Sequence, residues 1–196
     1  MMRLLSLPAA FAVLLLAGCS ETPEVSYYLL PEPERRPAPS ATFAGGTVAV
    51  REIAMPLYAR AQQIASLSPD GSVRLDDDHR WADEPSRAAT LHLVEVLEGS
   101  LGVPVVAEPW PLSVKPARRV DVTVDRFIGP LGGGTLALTG QVRVADLAGG
   151  TPDLQTPFAY EVPVSGGGYN ALAAAHSRAL ELLGLEVARL LAGARS

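Results

Sequence analysis

The chain has a single thiol, Cys19, and its neighbours specify what that thiol does. It closes the tetrapeptide Leu16-Ala17-Gly18-Cys19 at the end of an apolar run, the spacing of a bacterial lipoprotein processing box. Small residues at Ala17 and Gly18 let the backbone enter a peptidase cleft, and the Cys19 sulfur is the nucleophile that accepts a diacylglyceryl group before cleavage. Upstream, Arg3 is followed by Leu4 to Ala17 without a charge, interrupted only by Ser6 and Pro8. A helix of about fourteen such residues is roughly 21 Å long at 1.5 Å per residue, short of the roughly 30 Å hydrocarbon core. Residues 1–18 are therefore expected to be a cleaved signal peptide, with a lipidated Cys19 as the new N-terminus. With no second cysteine there is no intrachain disulfide, and lipidation accounts for the odd thiol of an exported chain. Ser20 stands where aspartate signals inner-membrane retention in enteric bacteria, which favours the periplasmic face of the outer membrane.

Other clusters carry weaker chemistry. Asp76-Asp77-Asp78-His79 gathers oxygen and imidazole ligands, but it lacks both the alternating ligands and distant glutamate of a calcium loop and the spaced ligands of a zinc site. It reads as a solvated turn, and no metal is expected. His92 and His176 each fall within a helical pattern, as satisfied, partly buried histidines. Gly132-Gly133-Gly134 and Gly166-Gly167-Gly168 invite a phosphate-loop reading, yet neither matches a dinucleotide or Walker pattern. They read as turns, with Ser165 or Asn170 capping the helix that follows. No G-x-S-x-G is present and the one cysteine is consumed, so no catalytic residue, cofactor or enzymatic activity is assigned. Loss of the signal removes only one charged residue, Arg3, and shifts the net charge from −5 to about −6, which excludes a nucleic-acid binder.

The elements that must position these residues follow from periodicity. Residues 19–45 form the lipidated tether: Pro31 to Ser40 carries four prolines in ten residues and reads as an extended spacer of roughly 30 Å. Within it, Tyr27-Tyr28-Leu29-Leu30 is too apolar for a spacer, and residues 26–30 are a candidate edge strand. Residues 46–196 are expected to form one α+β domain. Thr47 to Ile53 is β-branched and ends at Met55-Pro56; Ile64 to Leu67 and Ser72 to Leu75 flank the turn Ser68-Pro69-Asp70-Gly71 as a hairpin. Asp83 and Pro85 open a helix that ends near Gly99 or Gly102, with Ala88, Leu91, Val94, Leu97 and Leu101 as its apolar face. Pro104 to Ala107 is a short strand. Three alternating runs, from Val120 to Val124, Leu136 to Val144 and Phe158 to Val164, predict an antiparallel meander. A last helix, Asn170 to Leu191, places Leu172, His176, Leu180, Leu183, Val187 and Leu190 on one stripe. The fold class is α+β, a mostly antiparallel sheet with two amphipathic helices packed on one face.

Exposed aromatics are few, and the most informative lies in His79-Arg80-Trp81-Ala82-Asp83-Glu84-Pro85, where arginine and tryptophan, both favoured in interface hot spots, precede a helix. Two readings stand: Arg80 and Trp81 bind a partner, or Trp81 seals the start of the helix from within while Arg80 pairs with Asp83 or Glu84.

Taken together, Cys19, Tyr27-Tyr28-Leu29-Leu30-Pro31, Ile53-Ala54-Met55-Pro56-Leu57-Tyr58 with Arg60-Ala61-Gln62-Gln63-Ile64, and Arg80-Trp81-Ala82 resemble the PqiC family of ABC-type transport auxiliary lipoproteins from Gram-negative bacteria. The second half matches in pattern more than in sequence. The resemblance implies a non-enzymatic component that works beside an MCE-domain protein in moving lipids between the two membranes. It adds Tyr58 and Arg60 to Arg80 and Trp81 as candidate partner contacts, and makes a homo-oligomeric ring at the end of a lipid conduit conceivable. A generic envelope adaptor or assembly factor, or a small-ligand-binding lipoprotein, would share the same anchor, tether and domain size.

Overall fold

The computed structural model describes residues 24–33, 43, 45–110, 113, 115–150 and 152–193. The expected signal peptide, Cys19 and most of the proline-rich stretch lie outside the described residues. In chain order the elements are β1 (Ser26–Tyr28), β2 (Val48–Val50), α1 (Leu57–Arg60), β3 (Gln63–Leu67), β4 (Val73–Trp81), α2 (Pro85–Leu101), β5 (Val105–Ala107), β6 (Arg118–Ile128), β7 (Gly134–Asp146), β8 (Leu154–Val164) and α3 (Gly168–Gly193). The architecture is α+β.

The larger sheet has the order β5-β2-β6-β7-β8. Its β6-β7-β8 part is the antiparallel meander that alternation predicts, with Val120, Val122, Val124, Leu136, Leu138, Val142 and Val162 facing the core. The β6-β7 register slips between Val124 and Arg126, so Asp125 is the extra residue of a bulge. Gly140 sits opposite it, where a Cβ would lie 2.8 Å from Phe158 Cζ and 3.0 Å from Val124 Cα. Beyond the meander, β2 pairs in parallel with both β6 and β5, and α2 lies on the crossover from β2 to β5. The strand expected over Thr47 to Ile53 is regular only at Val48–Val50, but its backbone follows β6 further, with Arg51 N donating to Val120 O at 2.9 Å. Edge strand β8 carries Pro157 and Pro163, which lack the donors that a foreign strand would need.

The smaller sheet, order β1-β4-β3, contains the expected hairpin. Ser68 N donates to Ser72 O at 2.9 Å, Gly71 takes φ +84, and Asp70 Oδ1 accepts from Ser72 N at 3.0 Å. Its second strand is longer than the alternation showed. Asp76, Asp77, Asp78 and His79 lie within β4 and not in a turn: the strand pairs with β3 at Leu75 and Arg80 and with β1 from His79, and the three aspartates fill the irregularity between those pairs. β1 pairs in parallel with β4, Ser26 to His79 and Tyr28 to Trp81. Downstream, Ser177 Oγ on α3 donates to Pro31 O at 3.0 Å.

α2 is capped by Glu84, one residue later than the Asp83 of the sequence reading: its carboxylate accepts from Ser86 N at 3.1 Å and Arg87 N at 2.6 Å, while Asp83 pairs with Arg87. The helix stops at Gly102, in the left-handed region at φ +66. The buried face also differs. It runs through Ala89, Leu93, Val96, Leu97 and Leu101, whereas Leu91 is 42% exposed. Apolar residues occupy two neighbouring stripes of this helix, and packing against α3 selects one. On α3, Leu172, His176, Leu180, Leu183 and Val187 are buried as expected, with Leu191 and not Leu190 completing the stripe. The two helices meet at Gly184, where a Cβ would fall 2.9 Å from Val96 Cβ and closer still to its Cγ1. The glycine loops are linked, since Gly168 N donates to Leu131 O at 3.1 Å.

Candidate functional site

Strand parity decides what becomes of the Arg80-Trp81 pair. Side chains alternate across a strand, so the two residues part. Trp81 turns inward and meets His176 edge-on, with ring centroids 5.4 Å apart, and Phe127 lies 4.4 Å from the same imidazole. Arg80 turns outward. Its Nε donates to Asp77 O at 2.9 Å and its Nη2 lies 3.7 Å from Asp77 Oδ1, so its acidic partner is Asp77 and not Asp83 or Glu84.

Tyr58, from the one-turn helix α1, joins Trp81 in one wall. Its hydroxyl accepts from Phe127 N at 3.0 Å, fixing α1 against the end of β6. Tyr58, Trp81, Met55, Phe127, His176 and Leu30 line a cavity of about 30 Å³, the space of one water. Arg60 is exposed at the end of α1 and is not part of this wall. The four candidates therefore divide: Tyr58 and Trp81 share an interior site, and the two arginines lie outside it.

His176 is the polar group of that interior. Nδ1 donates to Leu172 O at 2.8 Å, and burial pushes the imidazole down to about 4, which keeps it neutral near pH 7. His92 is also held below its ordinary value by burial, against the opposing effects of Glu181 and the Ser177 backbone. Its Nε2 is buried without a hydrogen-bond partner among the described residues.

A second cluster was not visible in the sequence because its members are far apart in the chain. Tyr28 on β1 and His79 on β4 are hydrogen-bonded, hydroxyl to Nδ1, at 2.9 Å. His79 stacks on Tyr169 of α3 with centroids 4.0 Å apart, and the Tyr169 hydroxyl donates to Asp76 Oδ2 at 2.8 Å. The Asp78 backbone N–H and the Tyr169 hydroxyl together hold the Asp76 carboxyl below its ordinary value. Burial first, then Asp76, raises the Tyr169 phenol. This clasp fastens β1 to β4 and to the start of α3. Among the described residues no group of three or more His, Cys, Asp or Glu side chains is arranged to hold a metal ion.

The outward face of the large sheet is polar and paired within itself. Arg51 reaches Glu108 at 3.0 Å and Asp121 at 3.4 Å, Arg119 reaches Asp121 at 3.1 Å, and Arg143 pairs with Asp153.

The chain belongs to the family of ABC-type transport auxiliary lipoprotein components, whose pattern matches residues 28–188. No curated protein matches the sequence. Among solved structures, it is similar to an uncharacterised protein at TM-score 0.69 and 20% identity, covering 86% of this chain and 99% of that one. It is similar also to protein XCC0632 from Xanthomonas campestris at TM-score 0.68 and 15% identity, covering 86% and 96%. These likenesses carry the fold. The family is one of transport components, in line with the resemblance read from sequence. No helix among the described residues is long and apolar enough to cross a membrane.

Proposed function

We propose that this chain is a periplasmic lipoprotein, held by acylated Cys19 on the inner leaflet of the outer membrane, that docks the conduit of an MCE/ABC-type intermembrane lipid transport system. The observation that carries this reading is the family match, which spans the folded domain from Tyr28 to Ala188 in a chain that also bears the Leu16-Ala17-Gly18-Cys19 box. A docking role suits an interior with room for about one water behind Tyr58 and Trp81. A ring of copies around the conduit's end belongs to the same proposal; a strictly monomeric acylated protein in native mass spectrometry counts against it.

The test is affinity capture of the acylated protein from gently solubilised envelopes, with Cys19→Ala as the unanchored control. An MCE-domain protein among the captured species supports the reading; outer-membrane assembly factors, or no partner, overturn it. Arg80→Ala is expected to weaken capture and to lower the melting temperature less than Trp81→Ala, since its hydrogen bond and ion pair are to Asp77 of its own strand. Trp81→Ala is expected to lower the melting temperature, since it removes one wall of the interior. A thermal melt beside each capture separates the two roles.

A further inference from the structure

The outward face of β1 is apolar. Along Ser26 to Leu30 the side chains alternate: Tyr28 and Leu30 turn into the clasp and the cavity, and Tyr27 and Leu29 turn to solvent. They are 61% and 74% exposed, and Leu29 shares a groove with Leu91 of α2, itself 42% exposed. An isolated exposed leucine needs no explanation, but a tyrosine and two leucines along one edge strand and the adjoining helix form a patch. Its place in the chain says what covers it. Only seven residue steps separate Cys19 from Ser26, a reach of roughly 25 Å even at full extension.

We infer that Tyr27, Leu29 and Leu91 form a membrane-contact face that rests on the bilayer holding the acylated cysteine, an inference that builds on the anchoring reading above. The short reach lets β1 settle at headgroup depth and keeps it within roughly 25 Å of the surface. Tyrosine suits that depth because its ring is apolar and its hydroxyl stays wet. The same groove carries the acidic residues Glu32 and Glu95, and Asp83, which Arg87 pairs. An anionic surface repels such a rim, so the face prefers zwitterionic lipid. On either side of the proline-rich stretch, Pro31 is hydrogen-bonded to α3 and Phe43 belongs to the core.

Acylation consumes the only thiol of the chain, so an introduced cysteine is uniquely reactive. Tyr27→Cys, Leu29→Cys and, as a reference on the outward face of β8, Glu161→Cys are each labelled with nitrobenzoxadiazole in the full acylated protein. They are reconstituted in vesicles of phosphatidylcholine and phosphatidylethanolamine, with and without phosphatidylglycerol. The expected result is emission from positions 27 and 29 several-fold above that of position 161, quenched by headgroup spin labels and reduced as phosphatidylglycerol is added. Equal emission from all three sites with the acyl chains present by intact mass overturns the membrane face and leaves the anchor standing. An intact mass without acyl chains overturns the anchor, and the face with it.

Discussion

Gly184 is where the packing of the two long helices is tested most directly. On propensity alone, Gly184→Ala in the middle of α3 stabilises by about 0.5–1 kcal/mol. The structure predicts the opposite sign. The new methyl would stand 2.9 Å from Val96 Cβ, closer to Val96 Cγ1, and 3.4 Å from Leu93 Cδ1. Val96 is β-branched and 8% exposed, so its rotamer is fixed by its own helix and the side chain cannot swing clear. The helices must separate, at an overpacking cost of about 1–3 kcal/mol. The net is a loss of about 1–2 kcal/mol, or roughly 2–8 °C in melting temperature for a chain of this size. Val96→Ala alone is expected to cost about 2 kcal/mol through lost methyl burial and the space it leaves. In the double variant that space receives the alanine methyl, so the loss falls short of the sum by about 1–2 kcal/mol. Urea unfolding followed by circular dichroism, on the mature chain carrying Cys19→Ala, measures all four corners of the cycle. A stabilising Gly184→Ala, or additive losses, refutes the account of the helix seam.

Two further outcomes follow from the interior. His176 is pushed to about 4 in the folded chain against an ordinary 6.5, so as pH falls the unfolded chain takes up the proton first. Stability is complete above about pH 6.5 and declines toward pH 4, by on the order of 3 kcal/mol. His92, lowered also, adds to the decline, and His176→Leu flattens most of it in urea titrations run at pH 7, 5.5 and 4.5. Tyr58→Phe strips the Phe127 N–H of its acceptor in a partly buried place and is expected to cost about 1–2 kcal/mol by the same assay, with partner capture unchanged.

What could be read from sequence was what local chemistry decides. Alternation at Val120 to Val164, the Asp70-Gly71 turn and the stripe of α3 each carry their own signal, and each element stands where that signal put it. The misread helix face traces to a partner distant in the chain. Leu91 and Leu93 are equal candidates for a buried face until α3 selects Leu93. Three aspartates look like a turn until β4 runs through them to pair with β1 at His79. Arg80 has acidic neighbours on both sides, and the irregularity that breaks strand alternation between Leu75 and Arg80 brings it to Asp77. Of the candidate site, Trp81 and Tyr58 were legible as residues of interest, but their meeting across the cavity with His176 depends on three elements that no local window contains. The clasp of Tyr28, His79, Tyr169 and Asp76 left no signal at all, since its spacing is set by topology.

The position of β1 also sets a path for force. With an acylated Cys19 fixed in a membrane, any pull between that membrane and a partner on the rest of the domain enters the fold at Ser26. It is resisted there by three residues of parallel pairing, the Tyr28 hydroxyl on His79, and Ser177 on the Pro31 carbonyl. The pairing of β1 is short, while the large sheet is held by ladders more than three times as long. Under tension β1 is expected to yield before those ladders, lengthening the link by the described residues Ser26 to Pro33, roughly 25–30 Å. The same strand that holds the domain near its membrane would then act as a mechanical fuse, lengthening the link while the core stays folded.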